Sequence, residues 1–351
     1  MSDVVDGLIE KRVFLKSLGA VFLSSFLPSK AIASVQSPTG RKAMLASAFM
    51  TKDRKFGLAL LDDKGELVTL ISLPARGHDL TVHRPTGTGV LFARRPGTFA
   101  LAIDLNQQAP PVLFAPHPER HFYGHGVFSS DGKLLFSTEN DFDNARGKIG
   151  IYDATNKFSR VGEFESYGVG PHDISLMPGG KTLIVANGGI ETHPDYGRTK
   201  LNLSSMEPGI CFVDAGSGDL LQRHKLRKEH HRVSLRHMAD DGKQRIWIGG
   251  QYQGEQHGEV PLLYSLDPEK GLESIELPSD VLRSLSGYVG SIEYDHRQNR
   301  IGITSPTGGI FVSIDPGAPD KSQTTTMPKV CGLTATSSGF AASSHLGEWI
   351  S

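Results

Sequence analysis

Cysteine is almost absent from this chain: among 351 residues only Cys211 and Cys331 carry a thiol, and neither a CxxC nor a CxxCH occurs. A covalently attached haem and a thiolate zinc site are thereby excluded. The two thiols fall in repeat units three apart, too distant for the few ångströms that a disulfide requires, so no pairing is expected. Beyond the first forty residues there is no apolar run long enough to cross a bilayer, and the mature domain is not expected to be membrane-embedded. Basic runs are missing as well, and with a net charge of −1 nucleic acid is not an expected partner. There is no GxSxG, which removes the serine nucleophile elbow from the list of chemistries.

What the chain does have is glycine, 40 of them, with 20 prolines and a hydrophobic share of 38%. That balance suits many short strands joined by tight turns. The organising stretch is HFYGHGVFSSDGKLLFSTENDFDNARGKIGIYD, His121 to Asp153, which reads as a β-meander with a Ser-Asp-Gly-Lys turn between two apolar strands. Related units begin at RGHDL, GPHDI and LRHMA, so His78, His125, His172 and His237 align, in steps of 47, 47 and 65 residues. Units starting near Tyr288 and Cys331 keep the strand-turn-strand form without the histidine, and three strand-like pieces between Ala43 and Leu73 form a further unit. Repeats of this period fix the architecture as an all-β, seven-bladed β-propeller of the YVTN or WD-repeat kind, expected over residues 43–351 and expected as a monomer. No Gly-His start precedes the first unit, so its innermost strand is expected from the C-terminus. The last unit is short by at least one strand, so either the chain stops before the ring closes or blade and ring share strands.

Residues 1–33 carry the features of an export signal: Lys11-Arg12 ahead of Val13-Phe14-Leu15-Lys16, an apolar run from Leu18 to Leu27, and Ala31-Ile32-Ala33 for cleavage. KRVFLK looks like a twin-arginine signal with lysine at the first arginine position, and the general secretory route would accept the same segment. The expected location is the periplasm, with residues 34–42 as a linker.

In a propeller, the start of each innermost strand and the loops between second and third strands share one face. That face should carry His78, His125, His172 and His237, together with Arg94, Arg95, Tyr123, Glu139, Asn140, Asn187 and Gln251. Imidazoles from several strands can build a site for iron, copper or zinc. They can equally cap their strands by bonding the neighbouring blade, or serve as acid and base. The Arg94-Arg95 pair can hold a small anionic ligand bidentately, or pair with acidic neighbours as a solvated turn. The loop from Asn187 to Ile210 is long for a compact repeat, which favours a functional loop. On a regular strand Asp79 and Asp173 should face away from their neighbouring histidines, toward the adjacent blade.

The segments ARGHDL, FARRPGTFALAIDL, RHFYGHGVFSSDGKLL, GPHDISLMPGGKTLIVANGGIETHPDYGRTKLNL, YVGS with TSPTGG, and VCGL resemble a family of exported bacterial seven-bladed propellers of unknown function. The resemblance covers nearly all of the mature chain. Members often end in a Trp-Asp-Asn-His-Leu segment that completes the first blade, and this chain lacks it. Members often occur beside periplasmic iron-uptake components, so the resemblance implies a link to iron or another redox metal and to those components as partners. A weaker similarity, in Gly-Pro-His and the turn grammar, runs to lactonase-type propellers. The expected function is therefore a periplasmic binding protein holding a transition metal through its channel histidines. A lactonase-like hydrolase and a non-catalytic interaction propeller are the alternatives.

Overall fold

A computed structural model of the chain describes residues 34–36 and 43–350, apart from 63, 96, 107, 256–259 and 268. The export-type segment 1–33 lies outside the described residues. The described strands form seven antiparallel sheets, six of four strands and one of three, arranged as a seven-bladed β-propeller. The innermost strands, from blade 1 to blade 7, are Leu45–Met50, Gly77–His83, Arg120–Phe128, Pro171–Leu176, Val233–Asp240, Ser291–Asp295 and Val330–Ala335. Each packs beside the next around the channel.

The core lies between blades rather than within them, and strand alternation explains why. In Thr88–Ala93, Val90 and Phe92 pack with Phe122 and Phe128 of blade 3, while Leu91 and Ala93 pack with Leu58 and Leu60 of blade 1. Successive side chains on a strand point to opposite faces, so a strand apolar at every position glues two neighbours at once. A fully buried phenylalanine such as Phe92 is 0% exposed and contributes about 1.5–3 kcal/mol by leaving water. The same arrangement links blades 3 and 4, 4 and 5, and 5 and 6. Blade 7 has only a small cluster around Met327, Val330 and Ala342.

Two expectations about the termini are corrected. Blade 1 has its own innermost strand, Leu45–Met50, paired along its length with Phe56–Leu61. Its outermost strand is Ser34–Gln36, from the stretch read as a linker, which pairs with Leu67–Leu73. The C-terminal strands stay in blade 7, where Trp349–Ile350 is the third strand. A short apolar inner strand with no Gly-His start had looked like a middle strand, which accounts for the misplacement. Both cysteines are free thiols.

Candidate metal centre

The repeat places one aligned histidine on the innermost strand of each of blades 2 to 5, and a local irregularity aims it. Register shifts fall between Gly77 and Leu80, around Tyr123 to His125, between Pro171 and Asp173, and between Leu235 and Met238. Each of these β-bulges contains the aligned histidine. A bulge sets extra residues against the partner strand and re-aims their side chains. At Gly124 the bulge needs φ +112, and a Cβ there would stand 2.2 Å from Cδ2 of His78. Glycine is therefore required both by the backbone conformation and by the neighbouring ring.

The four imidazoles converge. Ring centroids of His125 lie 4.9, 4.9 and 5.0 Å from those of His78, His172 and His237, and His172 lies 4.7 Å from His237. His125 is central: its Nε2 is 3.2 Å from Nε2 of His78, and its Nδ1 is 3.1 Å from Asp79 Oδ2 and 3.6 Å from Asp173 Oδ1. Candidate ligand atoms of His78, His125 and His172 all lie within 4.8 Å of one another, as do those of His125, Asp173 and His237. His172 Nδ1 is enclosed and has no hydrogen-bond partner.

Asp79 and Asp173 do reach the adjacent blade, Asp79 to His125 and Asp173 to the backbone N–H of Met238 at 2.8 Å. Because the bulges break strict alternation, the same carboxylates also stand beside the histidine cluster. The Asp79 side chain is 49% exposed, against 15% for Asp173 and 4% for His125.

Protonation follows from enclosure. Burial, reinforced by the charge of His125, lowers the His78 pKa to about 3. Burial also holds His172 and His237 well below the usual imidazole value, helped in His172 by Arg236 and in His237 by His125. These three rings are neutral at physiological pH, with a lone pair to offer. Burial pulls His125 down too, but the carboxylates of Asp79 and Asp173 outweigh it and raise its pKa.

The other sequence-predicted residues divide. Arg94 is close enough to His78 to disfavour charge on it, while Arg95 bonds Thr192 Oγ1 at 3.2 Å and, with Tyr123, lies near His121 rather than the four clustered rings. Gln251 forms a backbone bridge to Tyr288 at the start of blade 6. Glu139, Asn140 and Asn187 are committed to internal bonds. Glu139 is wholly buried and accepts from Tyr152, from Arg160 at 3.1 Å and from Ser137. Asn140 ties His121 and the Thr192 carbonyl together, so it anchors the long loop. Asn187 bonds the hydroxyl and carbonyl of Ser166.

Sequence reasoning missed Arg236, which immediately precedes His237 and whose charge bears on all four histidines. The signal was present: at the position before the aligned histidine the other blades have Gly77, Gly124 and Pro171, and only blade 5 has a charged residue.

A family model described as "Protein of unknown function (DUF1513)" matches residues 71–351. No curated protein matches. Among solved structures, Kuenenia stuttgartiensis hydrazine synthase is similar, with a TM-score of 0.61 at 14% identity, covering 89% of this chain and 95% of that one. At that identity the likeness extends to the fold alone.

Proposed function

Since the chain belongs to the DUF1513 family, whose function is unknown, we propose from the site itself that this protein is a metal-binding β-propeller. His78, His125, His172 and His237 hold one transition-metal ion in the channel. The observation that carries this reading is the setting of His125. Two imidazole nitrogens that bind one tetrahedral ion at about 2.0–2.1 Å must stand about 3.3 Å apart, and the Nε2 atoms of His125 and His78 are 3.2 Å apart. The far nitrogen of His125 meets Asp79, the carboxylate–histidine arrangement that fixes ring orientation and tautomer in metal sites. An imidazole-rich set with two carboxylates nearby, Asp79 and Asp173, suits iron, copper or zinc rather than calcium or magnesium.

Three of the rings are already neutral and the fourth gives up its proton when an ion takes Nε2, so binding releases protons. The export-type segment at residues 1–33 supports a periplasmic place of action. The resemblance to exported propellers near iron-uptake components makes iron the first ion to test.

Elemental analysis of the purified protein, with Fe(II), Cu(II) and Zn(II) titrated into the chelator-stripped form, tests the proposal. One ion per chain and a raised Tm are expected, with both lost in His125→Ala/His172→Ala. Protein that takes up no stoichiometric ion, and whose Tm none of the three ions moves, would overturn it, because binding to the native state must stabilise it.

A further inference from the structure

Beside the histidines the channel mouth gathers cations that the fold leaves unneutralised. Arg94 and Arg95 follow strand Thr88–Ala93 of blade 2, Arg236 lies on the bulge of blade 5, and Lys200 comes from the long loop of blade 4. Blades 2 and 5 are not neighbours, so these side chains meet across the channel. Each of Arg94, Arg95 and Lys200 is near enough to Arg236 for the charges to repel. Among the described residues, no carboxylate forms a salt bridge with any of the four.

Elsewhere the same chain pairs its enclosed guanidinium groups, Arg120 with Asp141 at 3.1 Å and Arg160 with Glu163 at 2.7 Å. At the mouth, Arg236 Nε is enclosed without a hydrogen-bond partner, as Arg120 Nε and Arg160 Nε also are, and what sets Arg236 apart from those two is that no carboxylate pairs with it among the described residues. The Tyr123 hydroxyl, on a residue only 7% exposed, makes no hydrogen bond of good geometry, with Thr192 and Arg95 beside it. Burial keeps the phenols of Tyr123 and Tyr288 protonated, and Arg236 lies over the Tyr288 ring at 5.9 Å. The site therefore gathers three guanidinium groups and one ammonium, with a buried hydroxyl that can donate to a ligand.

We infer that this mouth is a binding site for a small polyanion with oxygen ligand atoms, a polycarboxylate or a phosphate, held by Arg94, Arg95 and Arg236 with the Tyr123 hydroxyl. Guanidinium forks match the paired oxygens of both groups. More than one negative charge is required, because a single charge would leave most of the crowded cations repelling one another. The enclosed Arg236 Nε gains a hydrogen bond that it lacks without a ligand, and the Tyr123 hydroxyl gains an acceptor of good geometry. The inference stands apart from the metal reading, since none of its donors is an imidazole.

Calorimetric titration of the chelator-stripped full chain with citrate, malonate, phosphate and sulfate, each alone, tests it. Saturable binding of at least one is expected, weakened by added salt. Arg236→Gln and the pair Arg94→Gln/Arg95→Gln should each weaken it at least tenfold, and the isosteric Tyr123→Phe about threefold to tenfold. Arg223→Gln, remote on the outer strand of blade 4, should leave it unchanged. Binding should persist in His125→Ala/His172→Ala, which separates this site from the metal site. A preference for citrate and malonate assigns the polycarboxylate, and a preference for phosphate and sulfate assigns the tetrahedral oxyanion. No saturable binding of any of the four at millimolar concentration, or equal binding by wild type and the arginine variants, overturns the inference.

Discussion

The two halves of the channel wall are built by one repeat and carry different chemistry. Blades 2 to 5 interrupt their innermost strands with a bulge, and each bulge presents a histidine, joined in blades 2, 4 and 5 by Asp79, Asp173 and Arg236. In blades 1 and 6 the innermost strands pair without interruption. Blade 7 has a bulge around Cys331, whose thiol burial pushes up in pKa and so keeps protonated. A bulge forfeits regular ladder bonds, so it persists where re-aiming a side chain compensates. The site is therefore a local departure from the propeller repeat, supported by the regular packing behind it.

The sharpest way to break this contrast is to alter a glycine in each wall. Gly124→Ala places a methyl group against the His78 ring at a backbone conformation suited to glycine. The expected cost is about 3 kcal/mol, from strain and overpacking together, with loss of stoichiometric metal. In blade 7 the Cβ of Gly332→Ala would meet chiefly the Ser343 hydroxyl, which can rotate away, so a cost below about 1 kcal/mol and intact metal uptake are expected. Urea unfolding with elemental analysis of both variants checks the pair. Equal costs in the two walls would show that the bulges of blades 2 to 5 have no special geometric demand.

Much of this was legible in the sequence because period is a strong signal. Steps of 47 residues located His78, His125 and His172 on equivalent strands, and the apolar middle strands fixed the blades. The bulges were not legible, because a bulge depends on the pairing register with another strand and leaves no fixed residue pattern of its own. Strict alternation consequently sent Asp79 and Asp173 away from the histidines, whereas the bulges bring them alongside. Glu139 reads as a polar residue in a loop-like stretch, yet Gly150 on the neighbouring strand, paired with Ser137, leaves the room that the Glu139 carboxylate fills, at 0% exposure. Such pairings between strands emerge only with the coordinates.

A smaller effect probes the support behind the histidines. Asp79→Asn keeps an acceptor for His125 Nδ1 but removes the charge that raises the basicity of that ring. Loss of a carboxylate partner of this kind costs 10- to 100-fold in metal affinity, about 1.4–2.7 kcal/mol. Cys331→Ser on the other wall should change the affinity less than twofold. Competition titration against a chromophoric chelator measures both, and an Asp79→Asn affinity equal to wild type would reduce this carboxylate to a bystander.

The smallest effect belongs to the wall without histidines. Glu293 lies on the innermost strand of blade 6, and burial, with the negative charges of Asp79 and Asp295 adding to it, raises its pKa to about 7. The folded protein thus binds a proton at Glu293 in a pH range where the unfolded chain has released it. The contribution of Glu293 to stability must then fall as pH rises from about 4.5 to about 7, and its full penalty is present above that window. Glu293→Gln removes the penalty. The variant should match wild type at pH 4.5 and exceed it at pH 8 by about 1–2 kcal/mol, an amount held down by the water of the channel. The histidines titrate alike in both proteins, so they cancel in the difference. Denaturant midpoints of the chelator-stripped proteins at the two pH values decide the matter: a pH-independent difference, or a variant less stable than wild type at pH 8, would mean that Glu293 is paired or solvated and that the two walls do not differ in this respect.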